Sequence, residues 1–355
     1  MITPVKRVNR FFMLLTAPFL GLLIGLLWYQ PPMQLDLEVG KFTPISGPVN
    51  ETIAIQKDLS LAKASASYTI DAVSASAKLY KDTTAAMNTL VSTATAQAAR
   101  PEVIYNRRIT AKLGIPAGVI NSDRIRIELY RLNPGNYKAY ALKIKLKDPT
   151  AMKMSLAKET SSGAETTMQA VNRYGAVAGI NAGGFADKAG KRYPLSTTMV
   201  EGQYVYGFEP TYKDLSFVGL NKSGQLIGGK FYNRTQLDQL EPVFGATFVP
   251  VLLKNKVKVP IPAKWKSTPK RAPRTVIGKY KDDQLLVFVA DGYNELGSSG
   301  AELEEIQNKL YNMGLIDAYN LDGGGSSSLI FKGKVINKPS DGNLRAVPTN
   351  FLFFE

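Results

Sequence analysis

The chain has 355 residues, 45% of them apolar and 21% charged, enough apolar content to bury a sizeable core in one or two domains. Its 44 Lys and Arg outnumber 29 Asp and Glu, and the resulting charge of +15 favours anionic partners: nucleic acid, anionic lipid headgroups or an anionic polymer. Cysteine and histidine are both absent, which excludes disulfides, thiolate nucleophiles, Ser-His-Asp triads and Cys- or His-ligated metals. Acid–base chemistry must then come from Asp, Glu, Lys, Tyr or backbone, and any metal must be a hard, oxygen-liganded cation such as Ca²⁺ or Mg²⁺.

Residues 1–10 form a basic tail with Lys6, Arg7 and Arg10, and residues 11–29, "FFMLLTAPFLGLLIGLLWY", carry no charge. As a helix that run would reach roughly 28 Å, close to the thickness of a bilayer's hydrocarbon, with Trp28 and Tyr29 at the far interface. The positive flank predicts a single-pass cell-membrane anchor, with a cytoplasmic N-terminus and everything after residue 30 outside. The alternatives are a cleaved signal peptide or a buried helix; "QPPMQ" offers no small-residue cleavage site. Residues 30–48, with Pro31, Pro32, Gly40, Pro44, Gly47 and Pro48, read as a linker.

Residues 49–100 are rich in Ala, Ser and Thr. Ile55, Leu59, Ala62, Ala66, Ile70, Val73, Ala77, Tyr80, Thr84, Met87, Val91 and Ala94 recur at gaps of three and four, the spacing of a coiled-coil seam. The segment reads as a helical stalk able to form a homo-oligomer, or as a hairpin packed back on the following domain. Pro101 is expected to end it.

From residue 101 to 355 the pattern changes. "RIRIELYRL" (124–132) and "YKAYALKIKL" (137–146) alternate apolar and polar residues around "NPGN" and predict a hairpin. Segments 175–185, 274–280, 284–292, 328–337 and 349–355 read as strands, with 284–292 buried on both faces. Residues 300–314 read as a helix capped by Gly314. The expected fold class is α+β (mixed α/β) with a mostly β core.

Five motifs carry chemistry: "INAGGF" (180–185), "PRTVIG" (273–278), "VADG" (289–292), "NLDGGGSSS" (320–328) and "NKPSDGNLRAV" (337–347). Consecutive glycines let backbone approach a ligand and expose amides to an anion, and arginines pair with phosphate through two hydrogen bonds. Together they describe a phosphate site with carboxylates beside it. Each has a plainer reading: a flexible linker for "GGGSSS", turns at Asp291-Gly292 and Asp341-Gly342, surface charge for Arg274 and Arg345, a strand bulge for "INAGGF". Neither a Walker loop nor a dinucleotide fingerprint is present.

The ordered series of motifs, strongest over 273–350, resembles the phosphodiester glycosidase family, which includes the N-acetylglucosamine-1-phosphodiester alpha-N-acetylglucosaminidase that uncovers mannose-6-phosphate. The resemblance spans about 105–355 and implies hydrolysis of the bond between a sugar's anomeric carbon and phosphate. Carried over by position, it implies a pocket of Asn181, Gly183, Gly184, Arg274, Asp291, Glu305, Asn320, Asp322, Gly323, Gly324, Ser326, Ser327, Asp341 and Arg345. Ala186 and Asp187 depart from the family pattern after the first motif.

Within that pocket Asp322 and Asp291 are expected to act at the anomeric carbon as base or nucleophile, in an order left open, with Glu305 or Asp341 as the second carboxylate. The leaving phosphate is a weak base that needs charge stabilisation more than a proton; Arg274, Arg345 and the amides of Gly323 to Ser326 are expected to supply it. Ca²⁺ or Mg²⁺ bridging Asp322 and phosphate is compatible with the ligand set. Location and charge point to an anionic envelope glycopolymer or exopolysaccharide as partner. A non-catalytic module that binds such a polymer is the competing reading, and an outside location argues against nucleic acid.

Overall fold

The computed structural model describes residues 13, 16–25, 28, 48–292 and 300–355. The basic tail, nearly all of the linker and part of the apolar run at 11–29 lie outside the described residues, as does 293–299. Residues 16–25 are helical. Among the described residues no helix is long and apolar enough to cross a membrane. The chain divides into two units, Met1–Leu90 and Val91–Glu355.

Helix α1 (Pro48–Leu113) realises the expected helical stripe, whose large residues are exposed, from Val91 at 59% to Tyr80 at 77%. It does not stop at Pro101. A proline removes one helix hydrogen bond, at a cost of about 3 kcal/mol, but its fixed φ suits a helix. Beyond it Ile109 and Leu113 are buried in the core of the second unit. Burial at about 1.5–3 kcal/mol per side chain offsets the proline.

In the second unit the strands pair antiparallel throughout three main sheets. The largest has eight strands in the spatial order β1 (Gly118–Asn121), β2 (Ile125–Leu132), β3 (Ala139–Leu146), β16 (Leu285–Ala290), β15 (Arg274–Lys279), β17 (Asp317–Leu321), β13 (Val251–Lys254) and β14 (Val257–Lys258). A five-stranded sheet runs β11 (Leu226–Gly229), β10 (Ser216–Asn221), β12 (Pro242–Phe248), β8 (Met199–Val200), β9 (Gln203–Tyr204). Another runs β19 (Lys334–Val335), β18 (Leu329–Phe331), β5 (Ala178–Asn181), β20 (Thr349–Phe353), β4 (Met152–Leu156), and β6 (Phe185–Lys188) with β7 (Lys191–Pro194) makes a separate hairpin. The β2–β3 pairing, Ile125 to Leu146 through Leu132 to Ala139, is the hairpin expected from the alternation. Segment 328–337 departs from expectation: it folds as two short strands because Lys332 and Gly333 both take positive φ, the geometry of a tight hairpin turn.

The eight-stranded sheet is buried on both faces. Leu285, Val287 and Val289 join a core shared with the two smaller sheets, including Phe244, Phe351 and Phe353. Leu286, Phe288 and Ala290 face the opposite core with the end of α1 and α5 (Leu303–Met313). Between them in sequence, α2 (Thr167–Tyr174) starts at a Thr166–Gln169 capping box and covers the β5–β18–β20 face, while α3 (Arg234–Asp238) and α4 (Ala263–Ser267) are short. The second unit is thus a mostly β core that includes the last turns of α1.

Candidate active site

The register of the large sheet brings three of the motifs to one edge. Arg274 pairs with Ala290, and Thr275 pairs with Leu321. Asp291 and Asp322 therefore leave their strands on either side of the start of β15, with backbones about 10 Å apart at two strand spacings. The glycines beside them make this close assembly possible. A Cβ on Gly292 would meet Pro273 N at 2.5 Å, and one on Gly323 would meet Pro273 O at 2.9 Å.

The triple-glycine segment is a folded turn, with Gly324–Ser326 in a 3-10 conformation. The amide of Gly324 donates to Pro273 O at 2.9 Å, Ser326 to Gly323 O at 3.2 Å and Ser327 to Gly324 O at 3.1 Å. Gly324 has φ +59°, which a side chain disfavours. Asn181 locks the turn from β5: its Nδ2 donates to Asp322 O at 2.6 Å, and its Oδ1 accepts from Ser328 N at 3.1 Å and the Thr275 hydroxyl at 2.9 Å. A Cβ on Gly325 would sit 2.1 Å from both Arg345 Nη2 and Asp341 Oδ2, so the Asp341–Arg345 ion pair, 2.6 Å long, lies directly on the turn.

Burial pushes the Asp322 carboxyl up to about 6, against the pull of the Gly323 amide, Arg345, Arg192 and the Ser326 hydroxyl, which lies close by but outside hydrogen-bond geometry. The Gly323 amide donates to Oδ1 at 3.0 Å, whereas Oδ2 is buried with no hydrogen-bond partner among the described residues. The buried oxygens Asn320 Oδ1, Ser326 Oγ and Ser327 Oγ are also unpartnered. Polar atoms buried this way cost free energy unless something else meets them, and four of them gather around this one turn. Asp291 is likewise raised by burial, although the Lys338 amide donates to Oδ1 at 2.8 Å and Tyr140 lies beside it.

Other candidates are engaged differently from expectation. Arg274 is 6% exposed and its guanidinium donates to the carbonyls of Pro269 (2.8 Å) and Ala301 (3.4 Å), with no carboxylate counter-ion among the described residues. Burial draws it down to about 10. It fixes the backbone behind the site, whereas Arg345 lies on the turn with only Asp341 as its ion-pair partner among the described residues. Glu305 caps α5 by accepting from Glu302 N at 3.1 Å and pairs with Arg271 at 2.8 Å. Burial pushes its carboxyl up, but the Glu302 amide and Arg271 outweigh this and leave it lowered. Glu305 is thus engaged as a helix cap and ion-pair partner, unlike the free second carboxylate expected of it. Gly183 and Gly184 approach protein, not ligand: added Cβ atoms would meet Ala246 Cβ at 2.7 Å and Phe248 Cδ2 at 2.5 Å, and their amides bond Thr349 Oγ1 and Thr247 O. The amides of Gly324, Ser326 and Ser327 are taken by the carbonyls of Pro273, Gly323 and Gly324 and do not line up as a row of anion donors. Asn320 anchors through Nδ2 to Val249 O at 2.6 Å.

Arg192 escaped the sequence reading. It stacks 4.1 Å over Phe185, holds Asp187 through two hydrogen bonds, donates to Ala346 O and extends its charge to Asp322. The signal was available, since "FADKAGKRYP" places Asp187 opposite Arg192 across a glycine turn. Among the described residues no three acidic side chains gather as a metal cage.

A family model described as phosphodiester glycosidase matches residues 174–354. The chain is 40% identical over 83 residues to the SPbeta prophage-derived uncharacterized protein YomE of Bacillus subtilis, covering 23% of this chain and 13% of that protein. Over 68 residues it is 38% and 40% identical to N-acetylglucosamine-1-phosphodiester alpha-N-acetylglucosaminidase of Mus musculus and Homo sapiens, again 13% of each relative's length. The catalytic domain of the zebrafish N-acetylglucosamine-1-phosphodiester alpha-N-acetylglucosaminidase, solved auto-inhibited by its pro-peptide, superposes with a TM-score of 0.53 at 18% identity over 66% of this chain and 85% of that one. That likeness establishes a shared fold.

Proposed function

The chain belongs to the phosphodiester glycosidase family, and from that premise we propose that it hydrolyses the bond between a sugar's anomeric carbon and a phosphodiester oxygen. The observation that carries this reading is Asp322: a buried carboxyl with one oxygen unpartnered, beside a cationic guanidinium and on a rigid glycine turn. With its pKa near 6, Asp322 is mostly ionised at neutral pH yet basic enough to take a proton. Water adds to the anomeric carbon and gives its proton to Asp322. The carbon–oxygen bond breaks, and its electron pair leaves on the phosphate as a phosphomonoester.

Arg345 meets the leaving charge. Its exposed pairing with Asp341 is exchanged for the phosphate at little cost, because such pairs contribute only about 0–1 kcal/mol. A donor of this kind typically contributes about 2.7–4 kcal/mol to the transition state. Asp291, also raised by burial, is the second carboxyl at the edge and fixes the 337–345 segment through Lys338.

The basic balance and the apolar run at 11–29 support a broader reading, in which α1 carries the enzyme outside a cell membrane to an anionic envelope glycopolymer and its exposed seam pairs with a second copy. The direct test is turnover of a chromogenic sugar-1-phosphodiester. Asp322→Asn is expected to lower kcat at least 100-fold with the fold intact. Turnover within a few-fold of the parent refutes the assignment, and binding without turnover in the parent chain favours a polymer-binding module.

A further inference from the structure

At the other end of the large sheet lies a cleft of about 630 Å³ between the last turns of α1 and strands β1 to β3. Five cationic side chains and two carboxylates line it. Its floor is built from buried charge: Lys143, 3% exposed, pairs with Glu128, 5% exposed, at 3.0 Å. Glu128 also accepts from Arg126 at 2.6 Å and from Tyr130 at 2.7 Å. Burial pushes the Glu128 carboxyl up, but Tyr130, Lys143 and Arg126 together hold it below the usual carboxylate range.

One cation would neutralise Glu128; two converge on it. On the rim Lys145 pairs with Glu102, and among the described residues Lys147 bonds to Asn121 Oδ1, at 3.2 Å, and to Ser122 O. Arg107 is exposed and forms no ion pair among the described residues. Lys143 and Lys145 are paired, so the uncompensated charge sits on the exposed rim at Arg107 and Lys147, and five cations against two carboxylates leave the cleft net positive. An anion is attracted to such a recess.

We propose that this cleft is a second binding site, for a linear polymer carrying repeated phosphate charges. Its place relative to Asp322 follows from register. Lys143 and Lys145 flank Ile144, which pairs with Leu285 at the start of β16, while Ala290 at its end pairs with Arg274 beside the carboxylates. At about 3.3 Å per residue the two sites stand roughly 20 Å apart along the strands, with Lys143 and Lys145 on the face that α1 covers and Asp291 beside Tyr140 on the other. The cleft does not depend on what Asp322 does, and direct binding reads it separately.

The test uses the full chain and fluorescently labelled linear polyphosphate, followed by anisotropy at fixed ionic strength. Arg107→Glu with Lys147→Glu is expected to weaken binding at least tenfold, and Arg107→Ala with Lys147→Ala to weaken it in the same direction by less. Lys213→Glu with Lys230→Glu, which changes net charge equally on exposed residues elsewhere, should change affinity less than twofold. The small chromogenic substrate should turn over unchanged in all three. Equal weakening by the two charge reversals, or unaltered affinity in the Arg107/Lys147 variants, overturns the proposal. Equal affinity for dextran sulfate overturns the assignment to phosphate. Polyphosphate binding that follows this pattern in a chain without turnover supports the cleft while refuting the catalytic reading.

Discussion

Asp322→Asn tests the electrostatics of the site independently of turnover. Burial raises this carboxyl from its ordinary 3.8 to about 6. At about 1.4 kcal/mol per unit, the shift corresponds to roughly 3 kcal/mol by which ionising Asp322 destabilises the folded chain. The folded state binds the proton more tightly than the unfolded state, so this stability is present below pH 3.8 and lost as pH rises through about 6. Asparagine does not titrate. Its own amide changes stability by an amount that is the same at every pH and cancels in the comparison. Urea unfolding of both chains from pH 3.5 to 7.5 should therefore show the difference, variant minus parent, rising by about 3 kcal/mol, with most of the rise between pH 4 and 6. A flat difference, or one that falls as pH rises, would refute the claim that Asp322 is held in a desolvated site.

Gly325→Ala places a methyl group 2.1 Å from Arg345 and Asp341, and should abolish most turnover of the chromogenic substrate while leaving the circular dichroism of the fold in place. Arg345→Ala should lower kcat/KM by about 100-fold, equivalent to the ~2.7 kcal/mol of a lost charge-stabilising donor, with little change in Tm. Arg274→Met should do the reverse, costing about 1–3 kcal/mol of stability because the Pro269 and Ala301 carbonyls lose their buried partner. Glu305→Gln keeps the reciprocal cap but loses the charge facing Arg271, so it should leave turnover within a few-fold of the parent; a loss beyond 100-fold would restore Glu305 to the catalytic set.

Local sequence was enough for the long helix, the β2–β3 hairpin and the doubly buried β16, because periodicities of 3.6 and 2 report which side each residue turns to the core. It was also enough for the motifs, since glycine beside an acid at a strand end constrains the backbone whatever surrounds it. Partnership across the fold was not legible. Glu305 and Asp322 are both acids in motif-bearing segments, yet α5 closes one into a cap with Arg271 while the β15–β17 register leaves the other with an oxygen unmet. Arg274 and Arg345 differ in the same way: burial among carbonyls commits the first to the scaffold, and the second keeps an exposed, exchangeable pair with Asp341. Pro101 read as a stop because a proline's penalty is local, and only the burial of Ile109 and Leu113 outweighs it. Residue type and spacing thus determined the chemistry this protein has to hand, and tertiary structure decided which groups are desolvated and unpaired, because desolvation and pairing depend on neighbours distant in sequence.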